Sequence, residues 1–186
     1  MRRAALLVLL VPLLAGCGDR RVKPPDVAAP LPPGGVHVVG YPKAGLALKI
    51  PNSWRTEPGT SPLVASIASG TATVALWRYP RTEPLPASAA AFQTAKRALV
   101  RAAQKRDRTL KVGEARVIRF HGRPALQIVG TETVGGERRM VRSTHIFRDG
   151  SEIVVETLAP AAIFPGLDRT VFEPLLRSLK IQPVKR

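Results

Sequence analysis

Three polar residues in the second half of the chain have the side-chain types that nucleophilic catalysis requires. Ser143, His145 and Glu156 supply a hydroxyl, an imidazole and a carboxylate, which serve as nucleophile, base and orienting acid in hydrolases. Alternating segments place all three on one face of a sheet. No Gly-x-Ser-x-Gly elbow surrounds the serine, and a regular strand offers neither a strained nucleophile nor an oxyanion hole. We therefore predict that His145 is a partly buried residue hydrogen-bonded to Glu156 or to backbone.

Other chemistry-bearing residues are few and far apart. His37, His121 and His145 have no metal-ligand spacing, and the single cysteine excludes an intrachain disulfide, a zinc cluster and an iron–sulfur centre. Phosphate loops, dinucleotide fingerprints and calcium loops are absent from the sequence. The sequence therefore predicts a protein that is not an enzyme, with no catalytic residues, no cofactor and no metal site.

The cysteine itself has a distinctive position. Cys17 follows Leu14-Ala15-Gly16, after a basic start and an apolar run from Ala4 to Leu14, which is typical of a secretory signal peptide. The segment resembles the lipobox of bacterial lipoproteins, whose cysteine takes a diacylglyceryl thioether and palmitate and becomes the first residue after cleavage. We predict a signal peptide over residues 1–16 and a lipid-anchored protein on the extracytoplasmic face of the cell membrane. The alternative is an ordinary secretory signal with a chance cysteine.

Basic residues dominate the charge. Lys and Arg number 29 against 13 Asp and Glu, a formal net charge of +16, which attracts anionic partners. On a helix predicted from Ala87 to Arg106, one face opposite the apolar stripe carries cations, and we predict that it binds an anionic lipid, a wall polymer or an acidic protein. These residues are Arg97, Arg101, Lys105 and Arg108. The alternative is a solvated face in an arginine-rich proteome. Nucleic acid is not expected, because aromatic residues are only 5%.

Composition divides the mature chain into a tether and a domain. Residues 17–40 are rich in proline and predict an extended, semi-rigid tether, although Val36 to Val39 has the alternative interpretation of a first strand. Residues 41–186 form the single predicted domain. Its first strands are expected at Leu46 to Ile50, Leu63 to Ala68 and Thr71 to Tyr79, ahead of the basic helix.

A four-strand meander follows that helix, and its two-residue turns set its register. The turns are His121-Gly122, Gly135-Gly136 and Asp149-Gly150, each with glycine where a positive φ is needed. Counting outward from them aligns residues across the strands. One predicted row is Ile118, Ala125, Ile146 and Ile153, its neighbour is Arg116, Gln127, Thr144 and Val155, and the opposite face carries Val117, Leu126, His145 and Val154. Both faces are largely apolar, which indicates a sheet covered on both sides.

A short amphipathic helix through Val171 and Leu179, with Asp168 as its N-cap, completes the predicted domain. Three segments in this order resemble the PsbP-like fold group, which includes LpqN-type lipoproteins. They are Leu48 to Trp54, the Gly122-Arg123-Pro124-Ala125 hairpin and the helix from Phe172 to Leu179. The resemblance covers about Gly45 to Ile181. It implies an α+β domain with an antiparallel sheet of about six to seven strands between helices, and it implies binding and assembly roles.

The leading hypothesis is therefore a membrane-anchored lipoprotein that acts as a non-enzymatic binding or assembly module for an anionic envelope component or a protein partner. The first alternative is a carrier of a small apolar ligand, which would need a deep apolar pocket between helix and sheet. The second is an envelope hydrolase, which would need a cleft that gathers His145 with a competent nucleophile.

Overall fold

The computed structural model describes residues 28–184, which form an α+β domain built on two antiparallel sheets. In this part of the chain the elements follow one another as β1 (Val36–Tyr41), β2 (Leu46–Pro51), β3 (Arg55–Pro58), β4 (Leu63–Ser69), β5 (Ala72–Pro80), α1 (Ala89–Arg106), β6 (Lys111–Phe120), β7 (Arg123–Val134), β8 (Glu137–Arg148), β9 (Ser151–Pro160), α2 (Phe164–Leu167), α3 (Glu173–Ser178) and β10 (Lys180–Ile181). None of the helices among these residues is long and apolar enough to cross a bilayer.

The larger sheet has seven strands in the order β3-β4-β5-β9-β8-β7-β6. The meander β6 to β9 therefore lies side by side in chain order, and β5 joins its β9 edge. Short hairpins connect these neighbouring antiparallel strands directly, so no crossover connection is needed within the meander. The smaller sheet has the order β1-β2-β10, so the two ends of the described chain meet on β2.

The three meander turns form as the sequence predicts. His121 and Asp149 have φ of 46° and 50°, and the glycine that follows each is also positive, as a tight hairpin turn requires. The predicted register is confirmed: Ile118 pairs with Ala125 and Ile146 with Ile153. On the opposite face Leu126 pairs with Val117 and with His145, which pairs with Val154.

The two faces of the seven-stranded sheet are covered differently. The packed face, which carries Val74, Leu76, Ala125, Ile146 and Ile153, lies against the small sheet and the helical segment 164–178. The open face, which carries Trp77, Leu126, Ser143, His145 and Val154, lies partly under α1.

Side chains on the packed face form one continuous core. Phe172 is fully buried at its centre and meets the ring of Trp54 edge-on, with centroids 6.0 Å apart. The small sheet adds Leu48 and Ile50, which are also fully buried. Helices flank the sheet as predicted, and a second sheet, which was not predicted, shares the cover of this face.

The segment expected to be a tether contributes to the fold. Val36–Tyr41 forms β1 against β2, which confirms the alternative interpretation of Val36 to Val39. Before β1 the chain follows the domain surface, where Leu31 N–H donates to Ser69 Oγ at 2.8 Å and Leu31 C=O accepts from Trp54 Nε1 at 3.3 Å. Residues 17–27 lie outside the described part of the chain.

The C-terminal helical segment begins earlier than the sequence predicts. It starts at Phe164, with Pro165 in its first turn, and passes through a π-helical turn over residues 168–172 before α3. Asp168 is therefore inside the segment, in helical conformation, and the prediction that it is an N-cap is wrong. Its carboxylate instead forms an ion pair with Arg142, a buried residue of the packed face.

Candidate functional site

Helix α1 covers the open face loosely. Ser88 caps its start, where Ser88 Oγ accepts from Ala91 N–H at 3.1 Å, as serine commonly does. Of its 18 residues only Phe92 is buried, and its ring meets Phe147 of β8 edge-on at 5.9 Å. Leu99 and Ala103 are half-buried above the sheet. A helix held at one end by an aromatic contact leaves space beneath its other end.

That space, which we call the α1 cavity, has a volume of about 170 Å³. An engineered cavity of roughly 150 Å³ holds one benzene molecule, so the α1 cavity fits a ligand of about that size. Helix residues form its roof and β7, β8 and β9 form its floor. Its walls are apolar at Leu99, Ala102, Ala103, Leu110, Ile128 and Val141 and polar at Arg106, Glu132, Ser143, His145 and Glu156.

The floor contains a chain of polar side chains. Ser143 Oγ lies 2.9 Å from His145 Nε2, and His145 Nδ1 lies 2.6 Å from Glu152 Oε1. Arg81 at the end of β5 pairs with the other carboxylate oxygen of Glu152. Ser143, His145 and Glu152 are each more than nine-tenths buried. This chain, from Ser143 to Arg81, is the most elaborate polar network on the open face.

The prediction that His145 is hydrogen-bonded to Glu156 or to backbone is wrong, because its carboxylate partner is Glu152. Glu152 and Glu156 are both on the open face, two residues to either side of Val154, which pairs with His145. The register therefore leaves either glutamate within reach as a diagonal neighbour. The structure selects Glu152, because Arg81 holds that carboxylate from the far side, whereas Arg106 of α1 pairs with Glu156 at 3.5 Å.

The electrostatics of the network favour an ionised Glu152. Burial by itself would raise the pKa of Glu152, but the hydrogen bond and charge of His145 and the adjacent Arg81 guanidinium lower it overall. A carboxylate can only accept hydrogen bonds. Since Glu152 is ionised, His145 Nδ1 must carry a proton and donate a hydrogen bond to Glu152.

The mouth of the cavity collects further carboxyl groups. Burial raises the pKa of Glu132, and the charges of Glu156 and Asp107 raise it further. Asp107, directly after α1, accepts from Thr109 N–H at 2.7 Å, which lowers the pKa of Asp107. Arg106 is the cation that faces this group. Sequence reasoning missed Arg81, Glu132 and Glu152, although the turn counting places Glu132 and Glu152 on the same face as His145.

Ser143, His145 and Glu152 have the order of a catalytic triad, but the surroundings of Ser143 differ from those of a nucleophile. Ser143 lies in the middle of β8 and pairs with Ile128 of β7 and Glu156 of β9. Backbone N–H groups of a paired central strand point at its neighbours in the sheet plane. They are thus not directed at the cavity, where an oxyanion would need them. The arrangement suits recognition of a polar group better than acyl transfer.

The outer surface of α1 carries Arg97, Arg101 and Lys105, all exposed. Arg108 is also exposed, but it lies two residues beyond Arg106, where α1 ends, and after the extended residue Asp107, so the prediction that it continues the helix face is wrong. We call Arg97, Arg101, Lys105 and Arg108 the α1 basic face. Arg97 Nη2 donates to Thr94 Oγ1 at 3.2 Å. Within residues 28–184 no carboxylate lies within ion-pair distance of any of the four, whereas the neighbouring Arg106 pairs with Glu156. Cys17, the predicted lipid attachment site, lies outside the described residues.

Comparison with known proteins identifies the fold. No model of a known protein family and no curated protein sequence matches the chain. Among solved structures, cyanobacterial PsbP (CyanoP) from Synechocystis sp. PCC 6803 matches with a TM-score of 0.63 at 10% identity, over 91% of this chain and 99% of that one.

Two further structures share the architecture. LpqN, involved in cell envelope biogenesis of Mycobacterium tuberculosis, matches with a TM-score of 0.54 at 18% identity over 80% of this chain and 91% of that one. The Saccharomyces cerevisiae Ran-binding protein Mog1p matches with a TM-score of 0.54 at 7% identity, over 80% and 96%. The chain therefore has the PsbP-like fold that its sequence segments resemble, and at these identities the likeness concerns the fold alone.

Proposed function

We propose that this protein is a lipid-anchored extracytoplasmic lipoprotein, attached through Cys17, that binds an anionic component of the cell envelope through the α1 basic face. The observation that carries the proposal is that these four exposed cations have no carboxylate partner within residues 28–184. Unpaired cations near an anionic surface are attracted by about 1 kcal/mol each. A role without catalysis accords with the fold. Among solved structures of similar fold, Mog1p is a Ran-binding protein and LpqN is involved in cell envelope biogenesis.

The path of the chain supports a membrane-facing position of α1. Ala28 C=O accepts from Thr71 N–H, and Thr71 C=O accepts from Arg139 of β8. Arg139 lies opposite Glu132 in the pairing of β8 with β7. Glu132 in turn is next to Asp107, directly after α1. The described chain therefore begins at the same end of the sheet as the C-terminal end of the basic helix.

Covalent geometry limits how far this end lies from the anchor. The eleven residues from Gly18 to Ala28 span at most about 40 Å when fully extended. With a lipid on Cys17, Ala28 would lie within about 40 Å of the membrane, at the end of the sheet that also carries Lys105 and Arg108. Electrostatic attraction decays over a Debye length of about 8 Å at physiological salt, so Lys105 and Arg108 would contribute whenever the domain approaches the surface.

The proposal is tested by vesicle binding. The protein used begins at residue 18 and therefore lacks Cys17 and its lipid. Cosedimentation with phosphatidylglycerol-containing vesicles should be saturable and should fade as salt rises. The double reversal Arg101→Glu with Lys105→Glu should weaken binding at least about tenfold. A matched control, Lys43→Glu with Lys49→Glu, changes net charge equally on exposed residues of the small-sheet side and should retain most binding. Equal losses in the two variants would show that only net charge matters and would refute the proposal.

The α1 cavity favours a second function, the binding of a small ligand. Its volume of about 170 Å³ and its mixed lining suit a small molecule with one polar group better than a long apolar chain. This changes the carrier hypothesis in one respect, since the ligand need not be wholly apolar. The geometry around Ser143 gives the hydrolase hypothesis no oxyanion site, and we do not propose it.

A further inference from the structure

Acidic residues concentrate around the α1 cavity, against the charge of the rest of the chain. Glu132 and Glu156 line it, Asp107 adjoins Glu132, and Glu152 lies behind His145. The whole sequence has 13 acidic residues against 29 basic ones, so this grouping is unusual for the protein. Two arginines, Arg81 and Arg106, face these four carboxyl groups. The cavity is therefore a local site for positive charge.

A buried hydroxyl on the cavity floor has unused hydrogen-bond acceptors. Ser143 is 8% exposed, and its single hydrogen-bond partner within residues 28–184 is His145 Nε2. A serine oxygen has one proton and two lone pairs. If the hydroxyl donates to His145, both lone pairs remain, and if a protonated His145 donates to it, one remains. In either state Ser143 Oγ presents an acceptor that no donor within residues 28–184 fills.

The register places this acceptor beside a carboxylate. Ser143 of β8 and Glu156 of β9 are directly paired and project from the same face, where paired Cβ atoms lie about 5 Å apart. One cationic donor group between them would reach both oxygens. The aliphatic part of the walls is formed by Leu99, Ile128 and Val141, among others.

From these features we infer that the α1 cavity binds a small primary ammonium with an aliphatic body. The ammonium donates one hydrogen bond to Ser143 Oγ and one to the Glu156 carboxylate, and Glu132 adds a longer-range attraction. The aliphatic part fills the space against Leu99, Ile128 and Val141. A body of about four to six carbons matches a cavity of this volume, since roughly 150 Å³ accommodates benzene.

Charge distinguishes an ammonium from other small ligands. An anion would meet Glu132 and Glu156 with Arg106 alone to offset them, and Arg106 is largely exposed at the rim. A neutral alcohol would make the Ser143 hydrogen bond but would gain no charge attraction from Glu132 or Glu156. Arg106 competes with the ligand for Glu156, because both are cations that need the same carboxylate. This site is separate from the α1 basic face and does not depend on vesicle binding, but it rests on the second proposed function, ligand binding in the α1 cavity.

The experiment uses the full chain in nonionic detergent at constant ionic strength, with three probes of one shape. Isobutylamine hydrochloride, isobutanol and sodium isovalerate are each titrated while the ring-proton resonances of His145 are followed by NMR. The amine should give saturable shifts, and the alcohol and carboxylate should bind at least about tenfold more weakly, as expected for the loss of a charged hydrogen bond. Absence of saturation with the amine, or equal binding of the alcohol, would overturn the inference.

Substitutions of the two partners in the Arg106–Glu156 ion pair should change the amine affinity in opposite directions. Glu156→Gln should weaken amine binding about tenfold, whereas Arg106→Gln should strengthen it, because the competing guanidinium is gone. A purely structural role for the pair would make both changes weaken binding. Glu83→Gln, at an exposed residue outside the cavity, is the control for net charge and should leave the amine affinity unchanged. Weakening by Arg106→Gln, or an equal effect of Glu83→Gln, would contradict the site.

Discussion

The two faces of the seven-stranded sheet differ in how completely they are covered. On the packed face the small sheet and the helical segment 164–178 enclose Phe172, Leu76 and Ile153, none of which is exposed. On the open face α1 buries one of its 18 residues, Phe92, and leaves a cavity of about 170 Å³. The packed face is closed around its apolar groups, whereas the open face keeps the buried polar chain Ser143–His145–Glu152 beside a cavity.

This difference separates what stabilises the fold from what is available for binding. Burial of apolar area supplies most of the folding free energy, and here it is concentrated on the packed face. The polar chain Ser143–His145–Glu152 and the α1 basic face both belong to the open side. Substitutions on the two sides should therefore affect different measurements.

The largest effect is expected on the packed face. Phe172→Ala removes a fully buried ring that contacts Trp54 and Phe164, and it should lower the free energy of unfolding by about 3–5 kcal/mol. Ile146→Ala, in the confirmed row of the meander, should lower it by about 2–5 kcal/mol. Urea denaturation measures both. A loss below 1 kcal/mol for Phe172→Ala would mean that this face is not the core.

A smaller loss is expected for the polar network of the open face. Glu152→Gln removes the charge that pairs with Arg81 and accepts from His145, and should cost about 1–3 kcal/mol at pH 7. Because the folded state lowers the pKa of Glu152, this carboxylate stabilises the fold above its unfolded pKa. Its contribution is lost as the pH falls through the lower, folded pKa.

Unfolding measured at pH 7 and near pH 3 checks that sign. The unaltered protein should lose more stability on acidification than Glu152→Gln does. Equal losses would show that Glu152 is not the carboxylate responsible, and would weaken the assignment of the network.

The side chains of α1 should matter less than those of the packed face. Leu99→Ala enlarges a space that already exists beside a half-buried residue, so its cost should be about 1 kcal/mol, below the usual range for a fully buried leucine. Denaturation under the conditions used for Phe172→Ala gives the direct comparison. A cost equal to that of Phe172→Ala would remove the distinction between the two faces.

The smallest effect on stability is expected from the α1 basic face. Arg101→Glu with Lys105→Glu changes exposed side chains that make no ion pair within residues 28–184. The free energy of unfolding should therefore change by no more than about 0.5 kcal/mol. The same variant should lose vesicle binding. If the free energy of unfolding fell by as much as the free energy of vesicle binding, the loss of binding would reflect misfolding, and the basic face would have a structural role.

The same contrast explains what could be predicted from the sequence. The meander was predictable because each turn has glycine at a positive φ and because Ile118, Ile146 and Ile153 fix which residues face inward. The small sheet was not predicted as a unit, because β1 and β10 come from distant parts of the chain and meet only through β2. No local pattern encodes that pairing.

The candidate site was predictable in part for a related reason. Register placed Ser143 and His145 on one face, and helical periodicity placed Arg101 and Lys105 together. The choice between Glu152 and Glu156 depends on Arg81 and Arg106, whose positions are set by tertiary packing. The cavity also depends on how far α1 stands from the sheet, which side-chain types alone do not determine.

Hydrogen–deuterium exchange on membranes tests most directly the claim that the open side is the binding side. The protein would be compared in solution, on neutral vesicles and on anionic vesicles. Anionic vesicles should protect peptides covering α1, Ala89–Arg106, and the following residues through Arg108, while the small sheet β1-β2-β10 exchanges as it does in solution. Protection of the small sheet instead of α1, or no difference between anionic and neutral vesicles, would contradict the account.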